Sequence, residues 1–246
     1  MGRDSTTAPD WRLIGEREPY FGVLSAPEFR TGTIDEKTIE AFYASGRADI
    51  ARLIAWCAED LGAAPEGGRA VDIGCGVGRL SLAMAARAGK VVGYDPSAPM
   101  LALARTRAAS EGAVNAVFVD RLPAGPFDWI NSYIVFQHIA PAGGLALLET
   151  FLALAAPGAF LTVHFTLWRE AHLAPPTNPV SIAATFLART LARLGAAPAE
   201  RLIRMHDYNL SDVMQRIVAG GFERTVLRHV DHGGHHGVWI LARRDR

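Results

Sequence analysis

The chain of 246 residues is short of several things, and each shortage excludes something. It has two cysteines, Cys57 and Cys75, with no C-x-x-C spacing, so neither a disulfide framework nor a cysteine metal knuckle is expected and a reducing compartment is. It has no excess of either charge: Lys+Arg and Asp+Glu both number 25, and no basic block is present that could track a phosphate backbone, which disfavours a nucleic-acid partner. No run approaches the roughly 18 to 20 apolar residues of a membrane span. The polar stretch Met1–Pro9 lacks the apolar core of a signal peptide, and a cytoplasmic protein is expected. No internal repeat is evident. No histidine occurs before His138, which is the first of eight.

What the chain does have is hydrophobic residues, half of the total, enough for one sizeable core. It is organised around Ala70–Ser81, AVDIGCGVGRLS. An apolar run leads into Gly74, Gly76 and Gly78, and an amphipathic stretch follows, so a strand, a glycine turn and a helix are expected. Alternate glycines let a ligand lie against the backbone at a helix N-terminus. The dinucleotide fingerprint would place a third glycine where Arg79 stands, and the Asp72 carboxylate would repel a pyrophosphate. A cationic ligand fits better.

The pattern D-x-G-x-G-x-G resembles motif I of the class I S-adenosylmethionine-dependent methyltransferases, whose cofactor carries an amino group and a sulfonium. The resemblance covers about residues 70–246. It implies an α/β fold: a Rossmann-like seven-stranded sheet, mostly parallel with an antiparallel last strand, helices on both faces, and an N-terminal helical cap. Residues 1–66 are assigned to the arm and cap, and 67–246 to the methyltransferase domain with an insertion at about 166–204. S-adenosyl-L-methionine is the implied cofactor. The donor site would comprise Asp72, Gly74, Cys75, Gly76, Asp95, Pro96, Met100, Asp120, Arg121, Leu122, Ser132 and Tyr133. Asp95 ends the second strand, Lys90–Asp95, about 20 residues past the turn, where an acid reaches ribose hydroxyls. Pro96 and Met100 open the helix beside the adenine. Asp120 would accept from the adenine amino group, with the backbone after it, Arg121 and Leu122, alongside.

Elsewhere the reading is coarser. Residues 1–15 read as a frayed terminus. Glu18–Arg30, EPYFGVLSAPEFR, reads as an ordered arm that either docks through Tyr20, Phe21 and Phe29 or forms a lid. Ile34–Ser45 and Asp49–Leu61 read as two helices. Strands are expected at Ala116–Val119, Phe127–Tyr133, Phe160–Phe165, Thr225–Val230 and Val238–Ala242, and helices at Arg79–Ala88, Pro141–Leu154 and about Ile182–Leu194. The last of these, in the insertion, is read as a second wall of the acceptor site or as an oligomer contact of a homodimer. Asn209 is a helix N-cap.

Methyl transfer to a hydroxyl needs alignment and a proton acceptor, a task suited to histidine. The candidates are His164, which closes strand five, then His138 and His206. Tyr20, Tyr43, Trp168, Tyr208 and His232 are candidate acceptor contacts. Asp231–His236, DHGGHH, reads as a flexible hairpin rather than a metal site, because no ligand spacing such as H-E-x-x-H supports one. The expected activity is O-methylation of a small molecule: a sugar, glycan or secondary metabolite. The alternatives are N-methylation of a small amine and a donor-binding protein without transferase activity. A nicotinamide oxidoreductase is disfavoured by Asp72 and Arg79.

Overall fold

A computed structural model describes residues 8–245. Seven strands form one sheet in the order β3-β2-β1-β4-β5-β7-β6. The strands are β1 (Arg69–Ile73), β2 (Lys90–Tyr94), β3 (Ala116–Val119), β4 (Phe127–Ser132), β5 (Ala155–Arg169), β6 (Arg224–Asp231) and β7 (His235–Arg243). β1 to β5 pair in parallel, and β7 runs antiparallel to both β5 and β6. The order reverses between β1 and β4, so the crevice at their carboxyl ends is where an open α/β sheet binds ligands.

The described residues form eight α-helices: α1 (Ala8–Arg17), α2 (Pro19–Val23), α3 (Glu36–Leu61), α4 (Arg79–Ala85), α5 (Ala98–Glu111), α6 (Pro141–Leu152), α7 (Pro179–Arg193) and α8 (Leu210–Ala219). One core cluster packs Leu148 and Phe151 of α6 and Ile217 of α8 against Ile130 and Leu161 of the sheet. The opposite face buries Leu53 and Cys57 of α3 and Met84 of α4 against Trp129 and Trp239. No helix among the described residues is long and apolar enough to cross a membrane.

Several boundaries differ from the sequence expectation, for physical reasons. Residues 8–15, expected to fray, lie in α1, which buries Asp10 and Ile14; residues 1–7 lie outside the described part. The two expected helices at 34–61 are one, capped by the Asp35 side chain at its start and by Gly62 in the left-handed region at its end. Gly46 sits mid-helix, where glycine costs roughly 1 kcal/mol. A Cβ there would strike the Arg79 backbone, so its absence lets α3 lie directly on α4. The close-packing glycine missing at position 79 is thus supplied by the partner helix. α4 ends at Ala85 rather than 88. β5 starts at Ala155 rather than at the expected Phe160 and runs on to Arg169, because β7 pairs with it along most of that length.

Candidate active site

A cavity of about 450 Å³ opens over the carboxyl ends of β1, β2 and β4. Its floor is the glycine turn. Gly74 and Gly76 line it with φ of 71° and 52°, and a Cβ on Gly76 would come within 2.8 Å of Val23 on α2. The turn is held against the end of β2 because Gly74 and Cys75 both donate backbone N–H groups to the Tyr94 carbonyl. Asp95 accepts from Gly76 N at 2.9 Å and from Ser97 N at 2.8 Å. A carboxylate has about four acceptor positions, so two backbone donors leave room for a diol. Burial raises the Asp95 pKa to about 6, against the pull of those two N–H groups.

The proposed donor residues divide by placement. Gly74, Gly76, Asp95, Pro96, Met100, Leu122 and Tyr133 line the cavity. Asp120 and Arg121 are exposed and do not; only Leu122 from that loop does. Cys75 is buried, and desolvation raises its thiol well above the usual range. Ser132 is buried and donates to the Ile73 carbonyl at 3.1 Å, a bond between strands. Asp72 is 2% exposed and also lies off the cavity. Its Oδ2 accepts from Ser81 at 2.6 Å and its Oδ1 from Asn131 at 2.8 Å. Asn131 in turn accepts from Thr162, which accepts from the Trp129 indole, each at 2.8 Å. This buried chain ties α4, β1, β4 and β5 together, and explains why polar Asn131 stands in a core strand.

The rest of the wall carries no sequence motif. α1 and α2 contribute Ala8, Trp11, Gly22 and Val23; α6 contributes Gly143, Ala146, Leu147 and Thr150; the segment after β4 contributes Ile134, Val135, His138 and Ile139. Ile134 has φ of 52°, a left-handed conformation that costs a β-branched residue roughly 1 to 3 kcal/mol. It is the one described non-glycine residue so placed, and it faces the cavity.

Among the described residues His138 is the histidine on the cavity wall. Its Nδ1 meets the Arg204 carbonyl at 2.7 Å. A carbonyl can only accept, so Nδ1 carries the proton and Nε2 presents a lone pair. The Gln137 amide approaches that nitrogen at 3.2 Å while its own oxygen accepts from Thr166 at 2.7 Å. Burial lowers the His138 pKa to about 4, keeping the ring neutral at neutral pH.

The other candidates lie elsewhere. His164 is 1% exposed, has no hydrogen-bond partner on either nitrogen, and sits off the cavity behind Tyr133 and His232. His206 is half-buried off the wall, with its backbone N–H on the Gln137 carbonyl. Tyr43 is buried and donates to the Val77 carbonyl at 3.0 Å, and Tyr20 packs edge-on against Phe42 and Tyr43, so both belong to the packing of the arm. Tyr208 is a core residue that donates to the Ile139 carbonyl at 2.8 Å. Trp168 stacks on His236 and His229 along the β5–β7–β6 ribbon. His232 meets the Tyr133 hydroxyl at 3.0 Å. No residue of 166–204 lines the cavity, so the insertion is not its second wall; α7 packs outside α1, and α1, α2 and α6 take that place. Residues 231–236 form a hairpin in which Gly234 N donates to Asp231, and no group of three or more His, Cys, Asp or Glu among the described residues could hold a metal ion.

These features match known proteins. A family model described as a methyltransferase domain matches residues 70–158. The chain is 36% identical over 104 residues to the ubiquinone biosynthesis O-methyltransferase of Caulobacter sp. (strain K31), a match that spans only 40% of either chain. It is 31% identical over 186 residues to the enzyme of the same name from Rhizobium johnstonii, covering 72% of this chain and 69% of that one. Magnesium protoporphyrin IX methyltransferase from Synechocystis PCC 6803, solved with bound SAH, shares the fold with a TM-score of 0.59 at 20% identity, over 99% of this chain and 98% of that one. The glycine cradle with no room for a Cβ, and the buried acid with acceptor positions to spare, fit S-adenosylmethionine. The chain belongs to the class I S-adenosylmethionine-dependent methyltransferases.

Proposed function

We propose that the protein transfers a methyl group to a hydroxyl of a small, largely apolar acceptor, with His138 taking the hydroxyl proton. The observation that carries this reading is the neutral His138 ring on the cavity wall, its Nδ1 proton fixed on the Arg204 carbonyl and its Nε2 lone pair held only by the Gln137 amide at 3.2 Å, a contact that a hydroxyl acceptor would displace. S-adenosylmethionine, when bound, would supply an electrophilic methyl group, with its sulfonium sulfur as the leaving group. Asp95 would hold the ribose hydroxyls and the Gly74–Gly76 backbone would lie against the methionine part. Trp11, Val23, Ile134 and Val135 exclude water and orient the acceptor. His138 holds the departing proton at Nε2.

The lining narrows the acceptor. Among the described residues its polar side-chain atoms come from Trp11, Tyr94, Asp95, Tyr133, His138 and Thr150. Of these, Asp95, Tyr133, His138 and Thr150 already have protein partners. A sugar or glycan would bury hydroxyls without partners there, so a phenol or similar ring alcohol is favoured. Among the described residues no carboxylate other than Asp95 lines the cavity, which gives an ammonium acceptor no further counter-charge there. The names of the curated relatives support oxygen as the accepting atom.

The test is formation of S-adenosylhomocysteine over a panel of phenols, sugars and amines. Turnover on phenols that is lost in His138→Gln supports the proposal. Turnover confined to amines, or donor binding without turnover on any acceptor, overturns it in favour of the N-methyltransferase or the non-catalytic reading.

A further inference from the structure

Outside α1, away from the cavity, two guanidinium groups meet one carboxylate, and a third arginine lies one helical turn from the first. Arg193 grips Asp10 with two bonds, Nε to Oδ1 at 2.8 Å and Nη2 to Oδ2 at 2.9 Å. Arg204 reaches the same Oδ2 at 3.5 Å. Arg189, one helical turn before Arg193 on α7, has no ion pair among the described residues. Its pKa is lowered by burial first and then by the charges of Arg204 and Arg193, with Asp10 the one opposing anion. The Nε atoms of both Arg189 and Arg204 are buried and have no hydrogen-bond partner. Glu200, the acid nearest to Arg189 along the chain, is taken by Arg30, Asp207, nearest to Arg204, is taken by Arg169, and residues 171–199 contain no Asp or Glu.

Buried guanidinium donors seldom go unpaired, because an N–H removed from water without an acceptor costs more than the bond would contribute. Arg193 spans both Asp10 oxygens and Arg204 shares Oδ2, and no contact of Asp10 among the described residues reaches Arg189. The cluster is therefore one anion short. We infer that Arg189 and Arg204, with Arg193 and Asp10 as their scaffold, form an oxyanion-binding site of the phosphate class at the junction of α1 and α7. Guanidinium forks match the oxygen spacing of such an ion, and its charge neutralises the surplus cation.

The site communicates with the cavity through two elements. α1 carries Asp10 on one side and Trp11, a cavity residue, next to it; Arg204 holds His138 through its own carbonyl. An anion bound here tightens α1 and the Arg204 segment together. The phosphate is either a soluble group or the headgroup of a lipid. The second source is open because α7 also exposes Val180, Ile182, Phe186 and Leu187.

The test needs neither donor nor acceptor, so its failure is separate from failure of the methyltransferase reading. Thermal unfolding is followed against inorganic phosphate, with chloride at matched ionic strength as control. Parent protein is expected to show a saturable rise in Tm with phosphate only. Arg189→Gln is expected to weaken that response about tenfold, the loss of one charge-assisted contact, and to have an unliganded Tm at or above the parent's because it removes a repelled charge. Arg189→Lys should restore part of the response. Co-sedimentation with phosphatidylglycerol and phosphatidylcholine vesicles separates the sources. Arg189-dependent retention on the anionic vesicles assigns a headgroup, and a phosphate response without retention assigns a soluble anion. Absence of both overturns the inference, as does a phosphate response that Arg189→Gln leaves intact. A fall in the unliganded Tm of Arg189→Gln also overturns it, since Arg189 would then be structural.

Discussion

The Asp95 carboxylate accepts the Gly76 N–H at 2.9 Å, so the acid that ends β2 and the glycine that follows β1 are one unit rather than two contacts. A ligand touching either is shaped by both. Asp95→Asn turns one acceptor oxygen into a donor facing a backbone N–H. Affinity for S-adenosylhomocysteine is expected to fall at least about tenfold, from the lost diol acceptor and the loosened turn together. Isothermal titration checks this; unchanged affinity in a folded variant removes Asp95 from the site.

His138 should show itself in the pH profile. Its pKa is lowered to about 4 by burial, and only the neutral ring can take a proton. The acid limb of kcat is therefore expected near pH 4 to 5, not near the 6.5 of an unperturbed imidazole. His138→Gln should lower kcat on a hydroxyl acceptor by roughly 10²- to 10⁴-fold with donor affinity nearly unchanged. A limb at pH 6.5 that persists in the variant points to another base.

Asp72 tests how far a motif residue is structural. Both of its oxygens are bonded within the core, to Ser81 and Asn131. Asp72→Ala leaves a buried hydroxyl and a buried amide without partners, and a loss of about 2 to 4 kcal/mol in unfolding free energy is expected. Urea denaturation measures it. A loss under 1 kcal/mol would show that the chain of bonds from Trp129 to Ser81 adds little.

How much of this was legible in the sequence depends on how local each feature is. Gly74, Gly76, Asp95, Pro96 and Met100 lie at the ends of two neighbouring strands, joined by one short helix, and their spacing alone brings them to the cavity. Trp11, Ile139, Ala146 and Leu147 meet them from elements distant in the chain, and as apolar residues they look like any core residue. Chain order ranks His164 before His138, whereas His138 is the one of the two on the cavity wall. His164 closes strand five as expected, yet its side chain falls on the α3–α4 face of the sheet, behind Tyr133, whereas His138 sits in the irregular segment above the strand ends. Strand alternation decides that, and the phase of β5 was not readable while its start was misplaced by five residues. Gly46 lies between the two segments read as separate helices, and the bare Cα that interrupts the apolar pattern there is the condition for α3 and α4 to touch.

His164 then carries the last prediction. Its ring is buried without a hydrogen bond, and burial pushes its pKa down to about 3. The unfolded chain takes up a proton near pH 6.5, while the folded chain stays neutral until far lower pH. Stability is therefore full above pH 6.5 and lost as pH falls toward 3. His138 acts in the same sense down to about 4. Asp95, raised to about 6, acts in the opposite sense between 6 and the ordinary carboxylate value, because there the folded state holds the extra proton. At pH 5 the His164 share is roughly 2 kcal/mol, from one and a half units at 1.36 kcal/mol each. His164→Leu is expected to reduce the stability lost between pH 7.5 and pH 5 by about that amount, and to raise stability at pH 7.5 by removing an unsatisfied N–H. Urea unfolding at the two pH values decides it. Equal losses in parent and variant would mean that the ring is solvated, or finds an acceptor, in solution.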